Sequence, residues 1–222
     1  MKPRFATQRA QALTLSEVLV VVAVAMALII GFAVLPRAKA KAMRINCFSN
    51  LKAGEVAFWL WAGDNNQRYP MELSTNSGGA REWIQEGKAF EVFRVMSNEL
   101  STPKILHCPA DARAWATNFS QFDNRHLSYF LGVDAPCQFN TNAPKILLSL
   151  FLYGDRNLTN GTPPAKGIIQ LTTDQNVHWT RDMHRSEGNI CLADGRVLQL
   201  DNRGLRELLR TTAAVTNRLA IP

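Results

Sequence analysis

The sequence predicts an α+β protein: one long N-terminal helix, with a membrane-length half and an amphipathic half, packed on a small head built around an antiparallel sheet. Three observations predict it. Every residue from Val18 to Leu35 is apolar or glycine. Beyond that run, residues 37 to 62 contain no proline, and apolar positions recur at Met43, Cys47, Leu51, Gly54 and Phe58, the three-to-four spacing of a helix face. Near the other end, Asp194-Gly195 separates two alternating runs, Asn189 to Ala193 and Arg196 to Leu200, which is the strongest short-range signal for a hairpin. With 222 residues the chain holds one ordinary domain and a segment outside it. At 46% hydrophobic and 19% charged it is neither disordered, collagen-like nor a multi-span membrane protein.

The elements follow in order. Lys2, Arg4 and Arg9 precede the apolar run with no acid among them, the arrangement of an export signal. Setting them aside reduces the net charge from +7 to +4, and the remaining bases are scattered apart from Arg37, Lys39, Lys41 and Arg44. No clustered basic face with interleaved aromatics appears, so no nucleic-acid partner is expected. Ala38-Lys39-Ala40 and Ala40-Lys41-Ala42 offer small-x-small sites for ordinary signal cleavage. The apolar run, however, exceeds the about 7–15 residues of such a signal. Glu17 also sits at its mouth, and an acid carried to the bilayer centre costs about 2.5–3.5 kcal/mol, so it calls for a partner.

Residues 13–35 would span about 34 Å as a helix, enough for a hydrocarbon core of roughly 30 Å. Pro36 bends rather than ends the helix, residues 36–62 form its amphipathic continuation, and Gly63-Asp64-Asn65-Asn66 stops it. The head, residues 63–222, should contain a helix over 81–100, with Trp83, Phe90, Phe93 and Leu100 at helical spacing. Short strands follow at 104–107, 127–132, 146–153 and 168–172, then the hairpin with both turn residues at positive φ. A terminal helix from Leu205 to Leu209 is capped by Asp201 or Asn202.

The segment Ala12 to Ala23, reading ALTLSEVLVVVA, resembles the class III prepilin signal of type IV pilins and type II secretion pseudopilins: a small residue, an apolar one, and Glu five positions after the small one. Ala12 stands where that signal usually has Gly. The resemblance implies that residues 1–12 are a leader, that a prepilin peptidase cuts between Ala12 and Leu13, and that Leu13 is then N-methylated. It implies that Glu17 pairs with the N-terminal amine of a neighbouring subunit. The physics agrees, because an amine and a carboxylate that are each costly in lipid offset one another when two chains meet.

His184, nine residues, then Asp194-Gly195 resembles the H-x9-D-G motif of prepilin-like proteins of Planctomycetes and Verrucomicrobia. Arg37 to Lys52, with Cys47 and Asn50-Leu51-Lys52, and the run Cys108-Pro109-Ala110-Asp111 are similar to the same family. Together these likenesses imply a pilin-like structural subunit, not an enzyme, held by a single span in the bacterial inner membrane with its head in the periplasm. Its implied partners are other pilin-like subunits, the prepilin peptidase and an inner-membrane assembly platform, and its end state is a type II secretion or type IV pilus-like filament. The alternative is an exported binding protein or enzyme with a conventional signal peptide or a simple N-terminal anchor.

For His184 the residues themselves suggest a structural role, with its imidazole bonded to the Asp194 side chain or the turn backbone. Asp182, Glu187 and Asp194 are candidate oxygens for calcium, but no regularly spaced acidic run accompanies them. No C-x-x-C or Cys/His spacing points to zinc, so no metal site is expected. Cys47, Cys108, Cys137 and Cys191 would all be exported, where disulfides form; four thiols permit three full pairings, and at least one bond is expected. His107-Cys108 reads as a strand end. The signatures G-x-S-x-G, H-E-x-x-H, G-x-x-x-x-G-K-[ST] and G-x-G-x-x-G are all missing. The best ligand site the sequence assembles places His178-Trp179 and His184 near Asp174 and Asp182.

Overall fold

A computed structural model describes residues 14–140, 142, 145–211 and 216–222. The expected leader, residues 1–12, and its junction at Ala12 and Leu13 lie outside the described residues.

Helix α1 runs from Leu15 to Asp64 without a break, through Pro36. Its large apolar side chains from Leu15 to Leu35 are exposed, and it is long and apolar enough to cross a membrane. The chain divides into two compact units, the second being Ala42–Pro222. Within that second unit α1 buries Cys47, Leu51, Phe58, Trp61 and Ala62, while Ile45, Val56 and Leu60 face outward. The helical periodicity of the sequence is thus the burial pattern of this half of α1. Phe58 sits at its centre, with its ring 5.2 Å from Tyr69, 5.6 Å from Tyr153 and 5.9 Å from Phe93.

Three short helices replace the single helix expected over 81–100: α2 (Arg81–Gln85), α3 (Ala89–Val95) and α4 (Ser97–Leu100). The first break is at Gly87, whose φ of 80° lies in the left-handed region that ends helices. The strand expected over 104–107 is instead a 3-10 turn, Pro103–Leu106. Pro103 lacks the N–H a ladder needs, and Thr102 caps the turn by accepting from the Lys104 N–H at 3.3 Å.

The sheet comprises β1 (Tyr129–Gly132), β2 (Phe151–Asp155), β4 (Ile168–Leu171), β6 (Glu187–Leu192), β7 (Val197–Asp201) and β8 (Asn217–Ala220). All its pairs are antiparallel, in the order β4-β8-β1-β2-β6-β7. A separate two-residue pair joins β3 (Leu158–Thr159) to β5 (His178–Trp179). Strand β2 begins later than expected, because Lys145–Ser149 is a 3-10 turn. Strand β8 was not foreseen, although it lies inside the sheet.

Alternate side chains serve two cores, as the period of two in a strand requires. Tyr129, Leu131 and Cys191 join the cluster that holds α1 and α3. Phe130, Ile190 and Leu192 join Trp179 and the Leu205 and Leu209 side chains of α5 (Asn202–Thr211). Asp201 caps α5 by accepting from the Gly204 N–H at 2.7 Å.

The hairpin joins β6 to β7, but its turn differs from expectation. Leu192 N–H donates to Arg196 O and Gly195 N–H donates to Leu192 O, each at 2.9 Å. Gly195 has φ 84° and Asp194 has no positive φ. This is a three-residue loop ending in a left-handed glycine, which a two-residue turn cannot match.

Replacing Phe58 by Ala should cost about 3–5 kcal/mol in unfolding free energy, because it empties a fully buried aromatic site. Leu60→Ala, one half-turn away and 57% exposed, should change it by less than about 0.5 kcal/mol. Denaturant titration of the two detergent-solubilised variants checks the contrast.

Candidate functional site

At the start of α1, the Glu17 carboxylate does not hang free. Its Oε2 accepts from the Thr14 N–H at 2.7 Å and from the Thr14 hydroxyl at 2.8 Å. The Glu17 N–H in turn donates to Thr14 Oγ1 at 3.4 Å. This reciprocal pair is a capping box, written in the sequence as Thr14-x-x-Glu17.

In the second unit, four side chains from distant parts of the chain converge. Cys47 lies on α1, Cys108 follows the 3-10 turn at 103–106, Asp155 ends β2, and His184 precedes β6. One ligand-type atom from each, namely two sulfurs, a carboxylate oxygen and an imidazole nitrogen, lies within 4.8 Å of all the others. The Cys47 thiol donates to Asp155 Oδ1 at 2.8 Å. His184 Nε2 is 3.2 Å from Cys108 Sγ and 3.5 Å from Asp155 Oδ2. Cys47, Cys108 and Asp155 are wholly buried, and His184 is 8% exposed.

Local structure holds these groups in place. His184, Arg185 and Ser186 have φ values of 41°, 56° and 68°, three successive non-glycine residues in the left-handed region. Each costs about 1–2 kcal/mol, so the surrounding structure must impose the turn. Asn157 does so from within: its amide donates to the carbonyls of Thr180 at 3.2 Å, Met183 at 3.4 Å and Glu187 at 3.2 Å. Arg44 on α1 adds a bond to His184 O at 3.3 Å and an ion pair with Glu187 at 2.5 Å. The Cys108 segment is held by Asp111, whose buried carboxylate takes two 2.7 Å bonds from Arg156.

Burial raises the Asp155 carboxyl above its ordinary range and pushes the Cys47 thiol up. Cys108 goes the other way. Its hydrogen bond with Cys47, helped by His184, outweighs burial and pulls it down to about 6. Burial alone would lower His184, but the adjoining Cys108 and Asp155 leave it raised. Asp155 Oδ2 also accepts from the Asn189 N–H at 2.7 Å and the Asn189 amide at 2.9 Å. The group is not laid out as a nucleophile triad. There, one ring nitrogen faces the nucleophile while the other is oriented by the acid; here Nε2 faces both the sulfur and the carboxylate.

The arrangement corrects several expectations. His184 bonds neither Asp194 nor its turn. Asp194 is engaged by Arg196, through the Nε at 2.7 Å and the backbone N–H at 3.0 Å. Gly195 instead packs on α1: its carbonyl accepts from Lys52 at 2.8 Å, and a Cβ there would strike the Glu55 carboxylate and the Trp59 ring. Among the described residues the three calcium candidates form no ligand group; Asp182 is exposed, and Glu187 and Asp194 pair with Arg44 and Arg196. His178 turns to the carbonyl of Asn176 at 2.9 Å, while the His184 ring is engaged with Cys108 and Asp155. All four cysteines are buried free thiols, Cys137 and Cys191 included, so the expected disulfide is not present.

Beside the expectation of no metal site stands a buried Cys/Asp/His group whose ligand atoms could hold a metal ion. Three of its members, Cys47, Cys108 and His184, belong to the segments singled out by family likeness. Asp155 was missed, and its only local signal is a carboxylate closing an otherwise apolar run, Phe151-Leu152-Tyr153-Gly154. Compared with protein-family models, curated proteins and solved structures, the chain matches none.

The Asp111–Arg156 pair sets a pH dependence. Burial opposes ionisation of Asp111, but the bonds from Arg156 and the Arg113 N–H hold its carboxyl below the ordinary range. A carboxyl depressed in the folded state adds stability that is present above its unfolded pKa and is lost as pH falls through the folded value. Stability should therefore drop on acidification below the usual carboxylate range. Asp111→Asn should be less stable at neutral pH and show a shallower acid decline, measured by denaturant titration at stepped pH.

Proposed function

We propose that this chain is a pilin-like structural subunit, anchored by the first part of α1 until it enters a filament of the type II secretion or type IV pilus kind. One observation carries the reading: a single carboxylate, Glu17, at the mouth of a membrane-length helix whose large apolar side chains are all exposed. A simple anchor has no use for an acid there. Exposed apolar side chains around the whole helix suit burial first in lipid and then among neighbouring helices. The continuation of α1 into the core of the Ala42–Pro222 unit, and that unit's antiparallel sheet, fit the same reading.

Under this proposal the leader is removed between Ala12 and Leu13, and Leu13 is methylated. The Thr14 hydrogen bonds hold the Glu17 carboxylate at the helix start, where the terminal ammonium of a second subunit completes its pairing. The head faces the periplasm, and the partners are other pilin-like subunits, the prepilin peptidase and the assembly platform.

N-terminal sequencing and mass spectrometry of the mature protein test the processing: a methylated Leu13 is expected, and a start at Lys41 or Met43 would indicate ordinary signal cleavage. Two variants at Glu17 separate pairing from capping. Glu17→Gln retains an acceptor for the Thr14 N–H, whereas Glu17→Leu does not. Both should leave cleavage intact and reduce recovery in sheared filaments by about tenfold or more, since an ammonium left unpaired in an apolar interior costs about 3–5 kcal/mol. Full incorporation of the Gln variant would reassign Glu17 to capping alone.

A further inference from the structure

We propose that Cys47, Cys108, Asp155 and His184 form a structural zinc site that ties α1 to the sheet of its own chain. The inference is independent of filament assembly. Two sulfurs, one imidazole nitrogen and one carboxylate oxygen make the mixed donor set that four-coordinate Zn2+ accepts. Calcium, by contrast, takes six to eight oxygens. Zinc–ligand bonds of about 2.0–2.3 Å at tetrahedral angles put neighbouring donor atoms about 3.4–3.8 Å apart. The donor atoms are already gathered close to that spacing, at 2.8 Å for Cys47 Sγ to Asp155 Oδ1 and 3.2 Å for Cys108 Sγ to His184 Nε2, with one ligand atom from each of the four residues within 4.8 Å of the others.

Three further observations point to a ligand. The outer shell of a metal site is already in place, because Asn189 holds Asp155 Oδ2 with two hydrogen bonds and leaves Oδ1 to the cluster. The left-handed turn at His184, Arg185 and Ser186 is held against its own conformational preference and delivers Nε2 to the cluster. Finally, two thiols, a carboxyl and an imidazole share an enclosed space in which their charged forms are costly without a cation. Binding balances simply. Zn2+ displaces the Cys47 thiol proton now given to Asp155 Oδ1 and the proton shared between Cys108 and His184, and both protons leave to solvent. No redox change is involved.

The test uses the full chain in detergent, purified under reducing conditions without chelator. Metal analysis should find one zinc per chain, and X-ray absorption at the zinc edge should show two sulfur and two nitrogen or oxygen neighbours. Replacing zinc with Co2+ should produce the visible bands of a four-coordinate ion and a thiolate-to-cobalt charge-transfer band. Cys137→Ser and Cys191→Ser should retain one equivalent, whereas Cys108→Ser and His184→Ala should lose it. The absorption and cobalt measurements on the unaltered chain stand even if a ligand variant fails to fold. Zinc-free protein that takes up no Zn2+ or Co2+ with its thiols reduced would overturn the proposal. So would a zinc environment lacking two sulfurs, or a native Cys47–Cys108 disulfide detected as the loss of two hydrogens.

Discussion

A carboxylate with no access to water organises the centre of this molecule. Asp155 ends β2, is completely buried, and must have its oxygens satisfied from within, since an uncompensated buried acid costs several kcal/mol. Its partners are the Cys47 thiol on α1, the Asn189 backbone and amide on β6, and the imidazole of His184. One side chain thereby links the long helix, a central strand and the turn that leads into the hairpin. The apolar packing of Tyr69, Phe93 and Tyr153 around Phe58 is non-directional. The polar group at Asp155 sets which residue of α1 faces which residue of the sheet.

The same geometry explains a spacing in the sequence. His184 and Asp194-Gly195 bond to different partners, yet each end is fastened to α1. Arg44 and Cys47 meet the His184 turn and its cluster, while Lys52 and Glu55 meet Gly195. Between them β6 spans six residues, about 20 Å, and Arg44 to Glu55 covers about 17 Å of helix. The intervening residues are therefore the length of strand needed to lie along that stretch of α1. Gly195 is confined to glycine twice over, by its positive φ and by the approach of Glu55 and Trp59.

At the start of α1 a different economy operates. Thr14 and Glu17 satisfy one another at the helix terminus, where free N–H groups favour a nearby negative charge. A residue flagged by its oddity in an apolar run therefore has a local role in the single chain. That role is compatible with the pairing proposed for it, because the Thr14 bonds engage one carboxylate oxygen, Oε2.

Taken alone, the sequence determined whatever depends on near neighbours. The apolar run, the helical face at Cys47, Leu51 and Phe58, the hairpin and the Asp201 cap all rest on interactions within a few residues, which periodicity and turn chemistry report directly. Tertiary structure decided the rest. It set Gly87 against the Lys166 backbone and placed β8 between β4 and β1, because those outcomes answer to partners far along the chain. It also assembled Cys47, Cys108, Asp155 and His184, whose separation in sequence resembles no ligand spacing. Burial brought them together, and burial has no period in a sequence.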